Sequence, residues 1–195
     1  VLPYFEGEDS ILALKKTYRN NPAWYWITKN GEERIRVKDI SRDDYYTYRK
    51  GKIMYTAYKP DARWGQRDYN VIKVLNTATK RVIQLTHRSK YFQPDFSPDG
   101  STIIAVQFAP DQRLELHVLD ATTGLVLKVV PQKAEQFVYT YPKFYDQNHV
   151  ISCISNEQGL MTLAMINLQT GETDNLLPWS HEIKGFPVLK GDTAY

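Results

Sequence analysis

A chain of 195 residues could fold as one large domain or two small ones, and 42% apolar residues suffice for a buried core. A net charge of +3, with both signs interspersed, is too weak and diffuse to argue for a nucleic-acid or anionic-membrane binder. A single cysteine, Cys153, excludes an internal disulfide, and no apolar run approaches the roughly 18 residues of a membrane span.

Pro3-Tyr4-Phe5-Glu6-Gly7-Glu8-Asp9-Ser10-Ile11-Leu12 reads as a strand, a turn and a second strand. Trp24-Tyr25-Trp26-Ile27 is a further strand, running into the turn Thr28-Lys29-Asn30-Gly31. Alternation puts Trp24 and Trp26 on one face and Tyr25 on the other, as packing between sheets requires; a carbohydrate platform is the alternative. The opening plan recurs at Tyr46-Thr47-Tyr48-Arg49-Lys50-Gly51-Lys52-Ile53-Met54, with Tyr46 in place of the proline. It is clearest at Pro94-Asp95-Phe96-Ser97-Pro98-Asp99-Gly100, where Asp99 belongs to turn chemistry rather than to a calcium loop. It returns at Pro142-Lys143-Phe144 and begins again at Pro187-Val188-Leu189-Lys190-Gly191-Asp192-Thr193-Ala194-Tyr195. A second feature keeps the same phase. Ile72–Lys80, Leu116–Gly124 and Leu163–Gly171 each carry a strand into a tight turn, with Lys80 standing where the later copies have glycine.

The anchors Pro3, Tyr46, Pro94, Pro142 and Pro187 are spaced by 43, 48, 48 and 45 residues. Each period holds four strands, a to d from the inside outward; in the third they are Phe92–Phe96, Thr102–Phe108, Leu114–Asp120 and Val126–Val130. No segment shows a helical period. Four short antiparallel strands in about 40–50 residues is the spacing of a propeller blade. The fold expected is all-β, a β-propeller region of about four blades, with approximate limits 1–40, 41–88, 89–134 and 135–180, and a further blade starting at 181–195.

Leu85-Thr86, Pro94, Ser97-Pro98-Asp99-Gly100, Asp120 and Thr123-Gly124 together resemble the TolB-like (PD40, WD40-like) propeller repeat. The blades also resemble the propeller of prolyl-oligopeptidase-type peptidases. Propellers of the TolB-like family usually have six or more blades, so the resemblance implies a larger parent protein whose other blades or domains cover the end faces of this arc. It further implies a periplasmic or extracellular bacterial protein with a binding or scaffolding role and a protein or peptide partner. An accessory propeller that gates a peptidase domain outside this chain is the rival, and a metal-dependent propeller lyase acting on acidic sugars is a third reading.

Searches for chemistry return little. No Gly-x-Ser-x-Gly elbow, Walker loop or dinucleotide fingerprint occurs, and no cofactor or metal site is expected. His181-Glu182-Ile183-Lys184-Gly185 starts like a zinc-protease helix, but Gly185 stands where the second histidine must be. His87 and His181 share a blade position and, with Glu182, could hold a metal near the axis; ordinary loop histidines are the alternative. Cys153, within Val150-Ile151-Ser152-Cys153-Ile154, reads as a buried structural thiol. The b–c connection Lys59–Asp68 is longer than its counterparts and carries Arg63, Trp64, Gln66 and Arg67, residue types suited to gripping a carboxylate, a peptide or a sugar ring. Alternatively Trp64 folds back on its own blade and Arg67 pairs with Asp68. A second rim patch, His87-Arg88-Ser89-Lys90-Tyr91, contributes His87, Arg88 and Tyr91 as candidates.

Overall fold

The computed structural model describes residues 3–132, 137–191 and 193–194. The boundary expected at 134/135 and the final Asp192 and Tyr195 of the fifth repeat fall outside them. Four antiparallel four-stranded sheets follow one another along the chain, each with its strands side by side in chain order. The first blade is β1 (Tyr4–Glu6), β2 (Ser10–Lys15), β3 (Ala23–Thr28) and β4 (Gly31–Val37). The second is β5 (Tyr46–Arg49), β6 (Lys52–Pro60), β7 (Asp68–Asn76) and β8 (Val82–Gln84). β9 (Tyr91–Phe96), β10 (Thr102–Phe108), β11 (Leu114–Asp120) and β12 (Val126–Val129) make the third. The fourth is β13 (Val138–Phe144), β14 (His149–Ser155), β15 (Met161–Asn167) and β16 (Thr173–Asn175), and β17 (Leu189–Lys190) pairs with β18 (Thr193–Ala194) beyond it. This is the β-propeller architecture that the repeat predicts.

The core lies between sheets rather than inside any one of them. In β10, Ile103 and Ala105 pack back on Met54 and Ile72 of the second blade, while Ile104 and Val106 pack forward on the fourth blade's Tyr139 and Ile154. Strands buried on both faces need continuous apolar runs, which is why alternation is weak in the b strands. The first junction is aromatic: Trp24 is fully buried against Tyr46 and Tyr55 of the next blade, and Trp26 meets Tyr48 edge-on at 5.7 Å.

The recurring proline of the inner strand has a geometric consequence. Proline has no N–H to give to the ladder. In β9 and β13 the register with the next strand shifts around Pro94 and Pro142, and the preceding Gln93 and Tyr141 sit at φ of 51° and 53°. Phe186, before Pro187, repeats the conformation at 53°. β5, with Tyr46 instead of proline, pairs with β6 without any shift. The bulge lets Gln93 Oε1 accept from the Tyr141 backbone N–H at 2.8 Å, a tie from one inner strand to the next.

The turn around Asp99 is closed by its own side chain. The Ser97 hydroxyl donates to Asp99 Oδ1 at 2.7 Å, the Ser101 N–H (2.9 Å) and hydroxyl (2.8 Å) donate as well, and the Gln147 side chain adds a further bond. These bonds, that of Ser97 foremost, hold the Asp99 carboxyl well below the usual carboxylate range. A pKa depressed on folding gives stability that is present above the unfolded value, about 4, and lost as pH falls through the folded one. Asp99→Ala is therefore expected to lower Tm slightly at pH 7, with the deficit shrinking steadily below about pH 4. Paired melting curves at pH 7 and pH 2.5 check this, and a deficit independent of pH would contradict it.

Candidate functional site

The loop between β6 and β7 is organised by Asp61. Its Oδ1 accepts the backbone N–H groups of Arg63 (2.8 Å) and Trp64 (3.1 Å), and its Oδ2 accepts the Tyr69 hydroxyl at 2.8 Å. Those contacts, the Arg63 N–H first, lower the Asp61 pKa, and the bond to Asp61 raises that of Tyr69. The ladder runs further out than the sequence suggests, pairing Lys59 with Tyr69 and Pro60 with Asp68, so the loop proper is 61–67. It is longer than the b–c loops of the third and fourth blades but not, as the sequence implies, than the first blade's 16–22. Trp64 is 58% exposed at its tip, with the Arg63 guanidinium 5.4 Å from the ring centroid. Trp64 does not fold back on its blade. Nor does Arg67 take Asp68, whose carboxylate is held by Arg42 and, at 2.9 Å, by Lys90.

Behind this loop lies a cleft of about 550 Å³ between the second and third blades, lined by residues 66–69, 88–90 and 107–110. These are the second blade's b–c loop, the d–a connection and the third blade's b–c corner, all on one rim. The connection crosses as an extended strap: Ser89 O accepts the Asn70 N–H at 2.8 Å, and Lys90 O accepts the Phe108 N–H at 2.9 Å. Arg88, at φ 50°, marks the turn into the strap. A smaller cleft of about 210 Å³ occupies the equivalent place one blade on, beside Gln112, Gln132 and Asn156. The rim groove thus repeats with the blades and is enlarged where the b–c loop is long.

Its lining carries Arg67, Arg88 and Lys90 against the single carboxylate of Asp68. Among the described residues neither Arg67 nor Arg88 makes an ion pair, while Asp68 is already engaged by two cations. Phe108 (37% exposed), Ala109 and Pro110 add apolar surface to the same lining. The cleft therefore combines cationic and apolar surface.

Of the residues singled out from sequence, Gln66, Arg67 and Arg88 meet in this cleft. Arg63 and Trp64 form the tip of the same loop. His87 is exposed outside the lining, its Nδ1 at 2.9 Å from Gln84 Nε2. Tyr91 points inward: it is buried, its hydroxyl is 3.0 Å from His117 Nδ1, and burial pushes its pKa up to about 12. Ser89 and Lys90 of the second rim patch line the cleft as well, joined by the 107–110 corner, to which the in-phase b–c connections of neighbouring blades point. No group of three His, Cys, Asp or Glu residues suited to a metal occurs among the described residues. Cys153 is a buried thiol whose pKa burial pushes up to about 11.

No family model and no curated protein matches the sequence. Solved structures do match the fold. A protein of Agrobacterium tumefaciens described as TolB superposes with a TM-score of 0.66 at 14% identity, over 87% of this chain and 61% of that one. TolB from Acinetobacter baumannii gives 0.60 at 15% identity, over 87% and 41%. A puromycin-hydrolyzing peptidase of Mycobacterium tuberculosis gives 0.60 at 14%, over 91% and 30%. The chain is thus similar in fold to TolB propellers and to part of a peptidase, and it spans less than two thirds of each of these proteins. No helix among the described residues is long and apolar enough to cross a membrane.

Proposed function

We propose that this chain is a non-catalytic binding or scaffolding region of a larger, exported bacterial protein, and that its partner sits in the rim cleft between the second and third blades. One observation carries the reading: Arg67 and Arg88 line one cleft and make no ion pair among the described residues. Guanidinium groups left free of close ion pairs favour a negatively charged occupant, because they bind carboxylate and phosphate in a forked geometry. Export and a protein partner follow the likeness to TolB structures and rest on analogy of fold.

The test is a double variant, Arg67→Ala with Arg88→Ala, measured against the partner that co-purifies with the native gene product. Affinity is expected to fall on the order of a hundredfold, as two charge-assisted contacts are lost, with Tm unchanged. Arg63→Ala with Trp64→Ala removes the loop tip and should weaken capture less. Unchanged affinity in the double arginine variant would move the site elsewhere.

The second reading is a propeller that gates access to a peptidase domain outside these residues. Its support is the similarity to the puromycin-hydrolyzing peptidase over 91% of this chain. Intact mass and peptide mapping of the native gene product separate the two: a parent bearing a Gly-x-Ser-x-Gly elbow favours the gate, and one holding only more blades favours the scaffold.

A further inference from the structure

We propose that the cleft between the second and third blades takes an amphipathic anion, its acidic group on Arg67 and Arg88 and a compact apolar group, a few bonds away, on Phe108 and Pro110. The inference rests on the reading of that cleft as the binding site and narrows its occupant. The smaller cleft one blade on is an internal control, because its residues hold matching places. Pro60 pairs with Asp68 where the b–c loop leaves the second blade, and Phe108 pairs with Leu114 at the same point of the third. Gln66 and Arg67 therefore correspond to Gln112 and Arg113, which line the smaller cleft. The far corners match as well. The Ala109 N–H donates to Arg113 O and the Gln112 N–H to Ala109 O; in the next blade the Asn156 N–H donates to Leu160 O and the Gly159 N–H to Asn156 O. Ala109 and Pro110 thus stand where the fourth blade has Asn156 and Glu157.

The two clefts differ in the properties that choose a ligand. Arg113 is paired with Asp111 at 3.4 Å, and Glu157 adds a carboxylate to the same lining. Arg67 makes no ion pair among the described residues, and an exposed proline stands in place of the acid. Asp61, on the same loop as Arg67, gives its oxygens to the N–H groups of Arg63 and Trp64 and to the Tyr69 hydroxyl. Both arginine charges reach that hydroxyl: its bond to Asp61 raises the Tyr69 pKa most, and Arg67 and Arg88 oppose the rise. The blade repeat alone does not produce this combination, since the next cleft has the arginine without the rest. Ligands that suit only half of the lining are disfavoured. Inorganic phosphate fits the guanidinium groups but leaves the apolar corner facing water. A sugar acid sets hydroxyls against carbon surface that cannot hydrogen-bond. A neutral apolar molecule covers the corner and shuts water away from two cations that it cannot pair. An acid carrying an aliphatic or aromatic group satisfies both halves, and about 550 Å³ accommodates one. Two sources offer that chemistry: the free carboxyl end of a chain whose last residue is apolar, and a small apolar acid.

The experiment is a ligand-observed NMR titration of the native gene product with phenylbutyrate, its uncharged amide, acetate, glucuronate and inorganic phosphate. Phenylbutyrate is expected to bind about tenfold more tightly than each of the other four, because each lacks either the charge or the apolar group. Phe108→Ser should bring phenylbutyrate to the level of acetate and leave acetate unchanged. Should that variant fold poorly, Pro110→Glu places the fourth blade's acid at an exposed corner and should weaken phenylbutyrate and acetate alike. An acetylated tripeptide ending in phenylalanine, with its carboxyl free, separates the sources: tighter binding than phenylbutyrate assigns the end of a partner chain, and equal or weaker binding a free small acid. If phosphate or glucuronate binds as tightly as phenylbutyrate, and the Arg67→Ala/Arg88→Ala variant loses it, the amphipathic assignment fails and the cleft reading survives. Phenylbutyrate bound equally by that double variant overturns the inference, as does the absence of binding by every probe. The cleft reading then stands or falls on the co-purified partner and the same double variant.

Discussion

Replacing Trp24 by alanine is expected to lower the free energy of unfolding by about 3–5 kcal/mol, among the largest effects of any single side chain here. The indole has no exposed surface, and its ring centroid lies 4.6 Å from that of Tyr55 and 6.3 Å from that of Tyr46, both in the next blade. Leu12, Ile35, Ile53 and Leu75 share the same cluster. Removing the indole therefore empties the junction of two sheets whose backbones are pinned by their own ladders and cannot collapse into the space. A second variant separates volume from polarity. Trp24 Nε1 has no hydrogen-bond partner among the described residues, and an unpaired buried donor costs about 1–3 kcal/mol. Trp24→Phe keeps most of the ring and removes that donor, so it should stay within about 1.5 kcal/mol of the parent. Trp64→Ala, at an exposed loop tip, should change stability by no more than about 0.5 kcal/mol. Urea unfolding with the slope monitored checks all three. A Trp24→Ala loss below about 1 kcal/mol would mean that the first two blades are not packed in this way.

The blade plan was legible because each inner element announces itself twice, through apolar strands and through turn residues recurring in phase. Val126–Val129 was placed within one residue, and Trp24 on the buried face, from alternation alone. What stayed hidden are pairings between side chains from different periods. Asp68 follows Arg67 in the chain, yet Arg67 ends the loop and Asp68 opens β7, where its carboxylate meets Arg42 and Lys90 instead. With Asp68 so engaged, Arg67 makes no ion pair among the described residues and shares the cleft with Arg88, which lies 21 residues on. Tyr91 is buried rather than on the rim for a related reason. It begins β9, where the chain turns inward, and its ring joins His117 and the buried faces of Met54 and Ile72 rather than the rim. A period tells which segments share a rim, whereas only the register tells which side chains look into it.

Gly171→Ala should cost about 2–5 kcal/mol and Gly100→Ala only about 1–2, although both glycines lie at positive φ, 71° and 82°. The left-handed backbone penalises alanine alike at both sites. The difference lies in what an added methyl meets: nothing within 4 Å at Gly100, but the Pro131 backbone carbonyl oxygen at 1.8 Å at Gly171. A carbonyl cannot rotate aside as a side chain can, so the end of the third blade's outer strand would have to move away from the fourth blade's turn. Gly124 repeats the arrangement, its methyl falling 2.3 Å from Leu85 O, so Gly124→Ala should follow Gly171 rather than Gly100. The thread of Thr-Gly turns in the sequence therefore records close approach between blades as well as turn conformation. The second blade has Lys80 at the matching place, at φ 56°, and ties itself to the first by other means: Lys80 pairs with Glu33 at 2.8 Å and Arg36 Nη1 donates to Lys80 O at 3.2 Å. Lys80→Gly should thus be tolerated, its loss limited to exposed contacts, whereas a side chain at position 171 should not be. Equal losses for Gly171→Ala and Gly100→Ala in thermal unfolding would show that conformation alone selects these glycines and that the fourth blade can shift to admit a methyl.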